Sequence, residues 1–288
     1  MDEITHVRIF RNKEYIRYVN PIHEMLLNTK KGQNLKAYLA TEDEFLIYHT
    51  GYSIDNRLEK AQRNLQILLS ELPYAKERPS IYQYISDCYY GLEDYKNAIK
   101  YAQLFIDSGA KFVGYNVKPH QNIIDSMLRL RFDVEVIRKE IETGINKFPN
   151  HPSFYFYLAN LFYDIRDYIN AYVYYLKTIQ MQQDYKDIEI NSVPSNLAHV
   201  YKYLAIISEY KNNYKDAMGY YTCSLEFEKY DKDCLIRLSN IMYHINLSHE
   251  DALIIINKLY NINSKEDLNY IINNLKKLTY QKMFLPTI

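Results

Sequence analysis

The chain has 288 residues, 48% of them hydrophobic, enough to bury a large core. Its 35 basic and 35 acidic residues cancel, so no global field draws it to nucleic acid or to an anionic membrane. No secretory leader pattern stands at Met1 and no apolar run approaches the roughly 18 residues of a bilayer span, which points to a cytoplasmic protein without a membrane span.

Residues 1–56 differ in texture from the rest. Val7–Asn12 alternates and is rich in β-formers, and Tyr15–Val19 is expected to pair with it across a short turn. Asn20-Pro21 is a turn signal, His23-Glu24 opens a loop or helix, and Phe45–His49 is a further short apolar run before Gly51. From Arg57 the period becomes helical: Ala61, Leu65 and Leu68 share one face, and Pro73 ends the segment. Tyr82–Phe105 then reads as one helical hairpin. Tyr82, Ile85 and Tyr89 form the apolar face of its first helix, Leu92–Tyr95 the turn, and Ala98, Tyr101, Ala102 and Phe105 the matching face of the second.

That spacing recurs. A degenerate copy covers Lys118–Arg131 and Val134–Lys147, clean copies cover Ser153–Ile179 and Leu197–Phe227, and a weaker one runs from Asp233 to Leu259. The position that is small in most copies falls at 61, 98, 137, 171, 217 and 252. The longest interval, between Ala171 and Ala217, implies a long second helix reaching Gln180–Asp184 and an inserted loop near Ile188–Ser195. Asp267–Tyr280 reads as a terminal helix over the last apolar face.

These copies resemble tetratricopeptide repeats, whose period is about 34 residues. The expected fold is therefore mainly α: a tetratricopeptide-like superhelix, or α solenoid, with a small N-terminal α/β remnant. The expected divisions are 1–56 for that remnant, 57–263 for the repeats and 264–288 for a capping helix. In this family the first helix of each hairpin lines a groove. The resemblance then implies a peptide-binding lining of Gln83, Asp87 and Tyr90, then Phe156, Asn160 and Tyr163, then Lys202, Glu209 and Tyr210. The partner expected there is a protein or peptide. Of the two-carboxylate clamp used by chaperone-binding members, only Asn160 fits.

A second resemblance rests on four elements in order: VRIFRN at Val7–Asn12, IHE at Ile22–Glu24, IYHTGYS at Ile47–Ser53, and KAQRNLQILLSELP at Lys60–Pro73. They look like the end of the catalytic domain of bacterial family 2 glycosyltransferases that continue into tetratricopeptide repeats. It implies that His49 contacts the metal or diphosphate, and that His23 and Glu24 face the acceptor, where a carboxylate acts as general base. It also implies Mn²⁺ or Mg²⁺ and a nucleotide-sugar in the parent enzyme, and a separate catalytic domain as partner. The sequence before Val7 holds no nucleotide-binding domain and no DxD carboxylate pair. The isolated chain is therefore expected to be inactive and to need no cofactor. Asp231-Lys232-Asp233 spells DxD but lies between repeats and reads as a capping turn. The open alternative is a stand-alone adaptor that binds a peptide or protein.

Other chemistry has no foothold in the sequence. Cys88, Cys223 and Cys234 form no CxxC pair and read as buried thiols of a reduced compartment. There is no Gly-rich phosphate loop and no nucleic-acid recognition motif.

Overall fold

The computed structural model describes residues 13–19, 25–28, 30, 57–111, 114–187 and 189–275. Strands β1 (Ile16–Val19) and β2 (Met25–Asn28) form an antiparallel ladder with Val19 opposite Met25. The strand expected within Tyr15–Val19 is present, but its described partner is Met25–Asn28. The partner expected from alternation, Val7–Asn12, lies outside the described residues.

All remaining regular structure among the described residues is helical. In chain order come α1 (Arg57–Ser70), α2 (Ser80–Gly91), α3 (Tyr95–Asp107), α4 (Lys118–Arg129), α5 (Val134–Lys147) and α6 (Pro152–Asp164). They continue with α7 (Tyr168–Asp184), α8 (Leu197–Tyr210), α9 (Tyr214–Phe227), α10 (Lys232–His244), α11 (His249–Leu259) and α12 (Lys265–Leu275). Helix α2 packs on α3, α6 on α7 and α8 on α9, so the expected hairpins form.

Three of the hairpin turns are built identically, and the reason is local. Glu93, Arg166 and Asn212 adopt left-handed backbone (φ 61, 64 and 57°), which ends the first helix. The next residue sends its N–H back to a carbonyl five positions earlier: Asp94 to Tyr89, Asp167 to Phe162 and Asn213 to Ser208, each at 2.9 Å. That same residue then caps the second helix. The side chains of Asp94, Asp167 and Asn213 accept from the backbone N–H of Asn97, Asn170 and Asp216. A second bond closes each box, as in Asn170 Nδ2 to Asp167 Oδ2 at 2.6 Å. The pattern legible in the sequence is Asp/Asn-Tyr-x-Asn/Asp-Ala, at Asp94–Ala98, Asp167–Ala171 and Asn213–Ala217.

The chain divides into two compact units, Met1–Phe112 with Lys118–Arg131, and Val113–Val117 with Phe132–Ile288. In the first, Leu68, Ala75, Ile81, Ile85 and Tyr101 form a buried cluster with Leu65, Leu72 and Tyr89 packed against it. Ser86 donates to the Ala98 carbonyl at 2.8 Å, a contact open to two helices whose facing residues are small.

Two buried clusters follow one another in the second unit. Ala159, Ala171, Tyr175, Val200, Leu204 and Ile207 make one. Tyr221, Leu225, Cys234, Leu235 and Leu238 lead the other, to which α12 adds Ile271 and Leu275. Each large side chain buried in this way contributes roughly 1.5–3 kcal/mol. Ala98, Ile137, Ala171, Ala217 and Ala252 are buried as the repeat requires, whereas Ala61 is only half-buried. Helix α7 is long, as the spacing implied, with 17 residues. The loop after it is pinned by Glu189, whose carboxylate accepts from Asn116 N (2.7 Å), Asn116 Nδ2 (2.6 Å) and Val117 N (3.3 Å).

Candidate functional site

In the second unit α6, α8 and α10 are the first helices of successive hairpins, and their side chains meet. The amide oxygen of Asn160 accepts from the Tyr175 hydroxyl at 2.7 Å and lies 3.3 Å from His199 Nε2. An acceptor there places the proton of His199 on Nε2. The imidazole is held neutral, since burial and then Lys202 both lower its pKa. With its oxygen committed, Asn160 has an amide nitrogen that meets no acceptor among the described residues. His199 also belongs to a chain of ring contacts between α6 and α8: Tyr163 meets Tyr203 edge-on at 4.2 Å, and His199 lies 4.3 Å from Tyr203 and 5.7 Å from Phe156.

Beside these rings runs an ion-pair network. Lys202 Nζ reaches Asp231 at 2.8 Å and Asp233 at 3.2 Å. Arg237 reaches Glu209 at 3.2 Å and Asp233 at 3.1 Å, and the Tyr221 hydroxyl donates to Glu209 at 2.7 Å. Burial works against the charged form of Lys202, but the neighbouring carboxylates outweigh it and its pKa is raised. The same balance raises that of Arg237, where Tyr221, Asp233 and Glu209 outweigh burial. Asp231 also caps α10, accepting from Cys234 N at 3.0 Å, so the DxD triplet is a capping turn.

In the first unit, Gln83 is fully buried. Its amide nitrogen donates to Asp87 Oδ1 at 3.0 Å, and Asn122 Nδ2 donates to the same oxygen at 2.7 Å and to Ser86 at 3.0 Å. Burial raises the pKa of Asp87 against the opposing influence of Lys118 and these two amides. Gln83 thus faces into a closed polar cluster, and only Asp87 and Tyr90 retain exposure. Tyr90 meets Tyr95 edge-on at 5.7 Å.

Phe156, Asn160, Tyr163, Lys202, Glu209 and Tyr210 are therefore brought together in one unit. His23, Glu24 and His49 lie outside the described residues. Sequence reasoning missed Tyr175, His199, Tyr203 and Arg237. The one signal for them was helical spacing: His199 and Tyr203 sit within four residues of Lys202, on the side of α8 turned to α6. Among the described residues no group of three His, Cys, Asp or Glu side chains is close enough to hold a metal ion.

No family model and no curated protein sequence matches the chain. Solved structures do match. Yeast Tom70 superposes with a TM-score of 0.51 at 14% identity, over 76% of this chain and 43% of that one. The Cut9–Hcn1 hetero-tetramer of the APC/C gives 0.50 at 10% identity, over 76% and 40%. MamA gives 0.46 at 12% identity, over 72% and 94%.

The fold is a tetratricopeptide-like α solenoid. The chain spans less than half the length of the Tom70 and Cut9 chains, and at these identities the likeness concerns fold alone. No helix among the described residues is long and apolar enough to cross a membrane.

Proposed function

We propose that the chain is a protein-interaction module whose first-helix face around Asn160 holds an extended segment of a protein partner. The carrying observation is the orientation of that amide. Its oxygen is tied to Tyr175 and His199, which leaves its N–H₂ without an acceptor among the described residues, on the helix that also carries Phe156 and Tyr163. An extended peptide presents backbone carbonyls that need such donors, and the rings supply contact area. The similar Cut9 structure is a hetero-tetramer with Hcn1, which supports a protein as partner. Free Cys88, Cys223 and Cys234 support a reducing, cytoplasmic setting.

The test is selection of binders from a displayed peptide library, followed by Asn160→Asp. Aspartate keeps the acceptor for Tyr175 and His199 and removes the unpaired donor. A selected neutral peptide is expected to lose about tenfold in affinity, the scale of one good hydrogen bond. Unchanged affinity would sink the reading.

The four ordered N-terminal elements favour a narrower version, in which the partner is the acceptor of a family 2 glycosyltransferase. His23, Glu24 and His49 then belong to the end of its catalytic domain, and Mn²⁺ or Mg²⁺ and the nucleotide-sugar are held with a separate domain. The chain alone then turns over no nucleotide-sugar with Mn²⁺. Turnover by the chain alone that disappears in His49→Ala or Glu24→Ala contradicts this version.

A further inference from the structure

Helix α7 carries an apolar stripe on its outer side. Ile169, Val173 and Leu176 are 70%, 54% and 39% exposed, and exposed Gln180 continues the row. The repeat does not require this stripe. Counted from the buried repeat residue, the same three positions are Lys96, Lys100 and Gln103 on α3, and Glu135, Lys139 and Glu142 on α5. They are Lys215, Gly219 and Thr222 on α9, and Glu250, Ile254 and Asn257 on α11. Steps of four, three and four residues from Ile169 to Gln180 are those of a seam between two paired helices.

The charges of α7 indicate what covers the stripe. Within the helix they are Lys177 and Asp184, and exposed Arg166 stands just before the capping residue Asp167. A base at the start and an acid in the last turn oppose the helix's own dipole, so neither is placed to stabilise α7 itself. Laid antiparallel with Val173 opposite Leu176, a second α7 brings Ile169 opposite Gln180 and Arg166 opposite Asp184. A two-fold axis repeats both pairs at the other end. Lys177 then faces the neutral Asn170 of the second copy. A parallel arrangement would instead set Arg166 against Arg166 and Asp184 against Asp184.

We infer that the stripe is covered by a second copy of this chain, paired antiparallel through α7. It uses none of the first-helix residues proposed above to hold a partner segment, so it does not depend on that reading. A single pair of helices of this length buries less than the ~1,600 Å² of a standard interface, so the dimer is transient, with a Kd of about 10–100 µM.

Sedimentation equilibrium of the whole chain between about 5 and 300 µM tests this. The average mass is expected to rise from that of a monomer towards that of a dimer. Val173→Lys, which puts on α7 the residue that α3 and α5 carry there, should leave a monomer at every concentration with an unchanged melt at about 5 µM. Arg166→Asp and Asp184→Arg should each weaken the dimer at least threefold, and the two together should restore it, because the reversed charges meet again across the axis. Lys139→Ala on α5 should have no effect. A monomer up to about 300 µM overturns the inference, as does an association that Val173→Lys leaves intact. Association lost in Val173→Lys but not restored by the double reversal overturns the antiparallel pairing.

Discussion

Phe154 lies against Gly144 so closely that a β-carbon at position 144 would fall 2.2 Å from the Phe154 ring. The ring has nowhere to go, because it is fully buried and stacked on Phe148 at 6.0 Å. Gly144→Ala is expected to destabilise the second unit by about 1–3 kcal/mol, as overpacking does. That outcome prevails over the ~1 kcal/mol that Ala gains in helix propensity. Urea unfolding measures it, and Phe154→Leu in the same chain should recover part of the loss. An unshifted midpoint for Gly144→Ala contradicts the contact.

His151 gives the second unit a pH dependence. Its Nδ1 accepts from Ser153 N at 3.3 Å while Nε2–H donates to the Ile190 carbonyl at 3.1 Å, an arrangement only the neutral ring can make. Burial pushes its pKa down to about 4, against the weaker pull of Ile190 and Glu189. Between pH 6.5 and 4 the unfolded chain therefore binds the extra proton, and stability falls as pH falls. The loss from this group is about 3 kcal/mol across that window. Comparing the chain with His151→Gln from pH 7 to 4 isolates it. Parallel stability curves for the two would contradict the assignment.

The left-handed residue in each hairpin turn is a place to gain stability. Arg166, at φ 64°, is exposed and carries a Cβ that this conformation penalises by about 1–2 kcal/mol. Glycine removes that strain but adds about 0.4–1 kcal/mol of unfolded-chain freedom. Arg166→Gly should therefore raise stability by up to about 1 kcal/mol and raise the melting temperature. A lower melting temperature would show that the arginine side chain contributes something else.

Asp267 fastens α12. Buried at the start of the helix, it accepts from Lys229 Nζ (2.6 Å), Tyr230 OH (2.8 Å) and Asn261 N (2.7 Å). Burial raises its pKa, but Lys229, Asn261 and Tyr230 together outweigh it and the net direction is down. Its contribution is therefore present above the ordinary carboxylate range and is lost as pH falls through the lowered value. Asp267→Ala should cost roughly 3 kcal/mol, given bonds to a charged group, and expose α12 to proteolysis first. Equal protease resistance in the two chains would contradict this role.

The sequence by itself determined the repeat. The spacing of Ala98, Ala171 and Ala217, the capped tyrosine turns before them, and the long interval that made α7 extend to Asp184 are all local or periodic signals, set within one or two helical turns. It also placed Phe156, Asn160, Tyr163 and Lys202 on first helices, because register along a helix is fixed by its 3.6-residue period. Only the tertiary structure decided what those side chains do. Asp87 and Asn160 come from equivalent positions, each eleven residues before the buried alanine of its repeat, yet Asp87 gathers two amide donors while Asn160 accepts from a phenol and an imidazole. The difference comes from neighbours on other helices: Tyr175 and His199 take the oxygen of Asn160, and Asn122 converges with Gln83 on the Asp87 carboxylate. Likewise the clamping of Lys202 between Asp231 and Asp233 joins residues some thirty positions apart, a distance that periodicity along one helix does not encode.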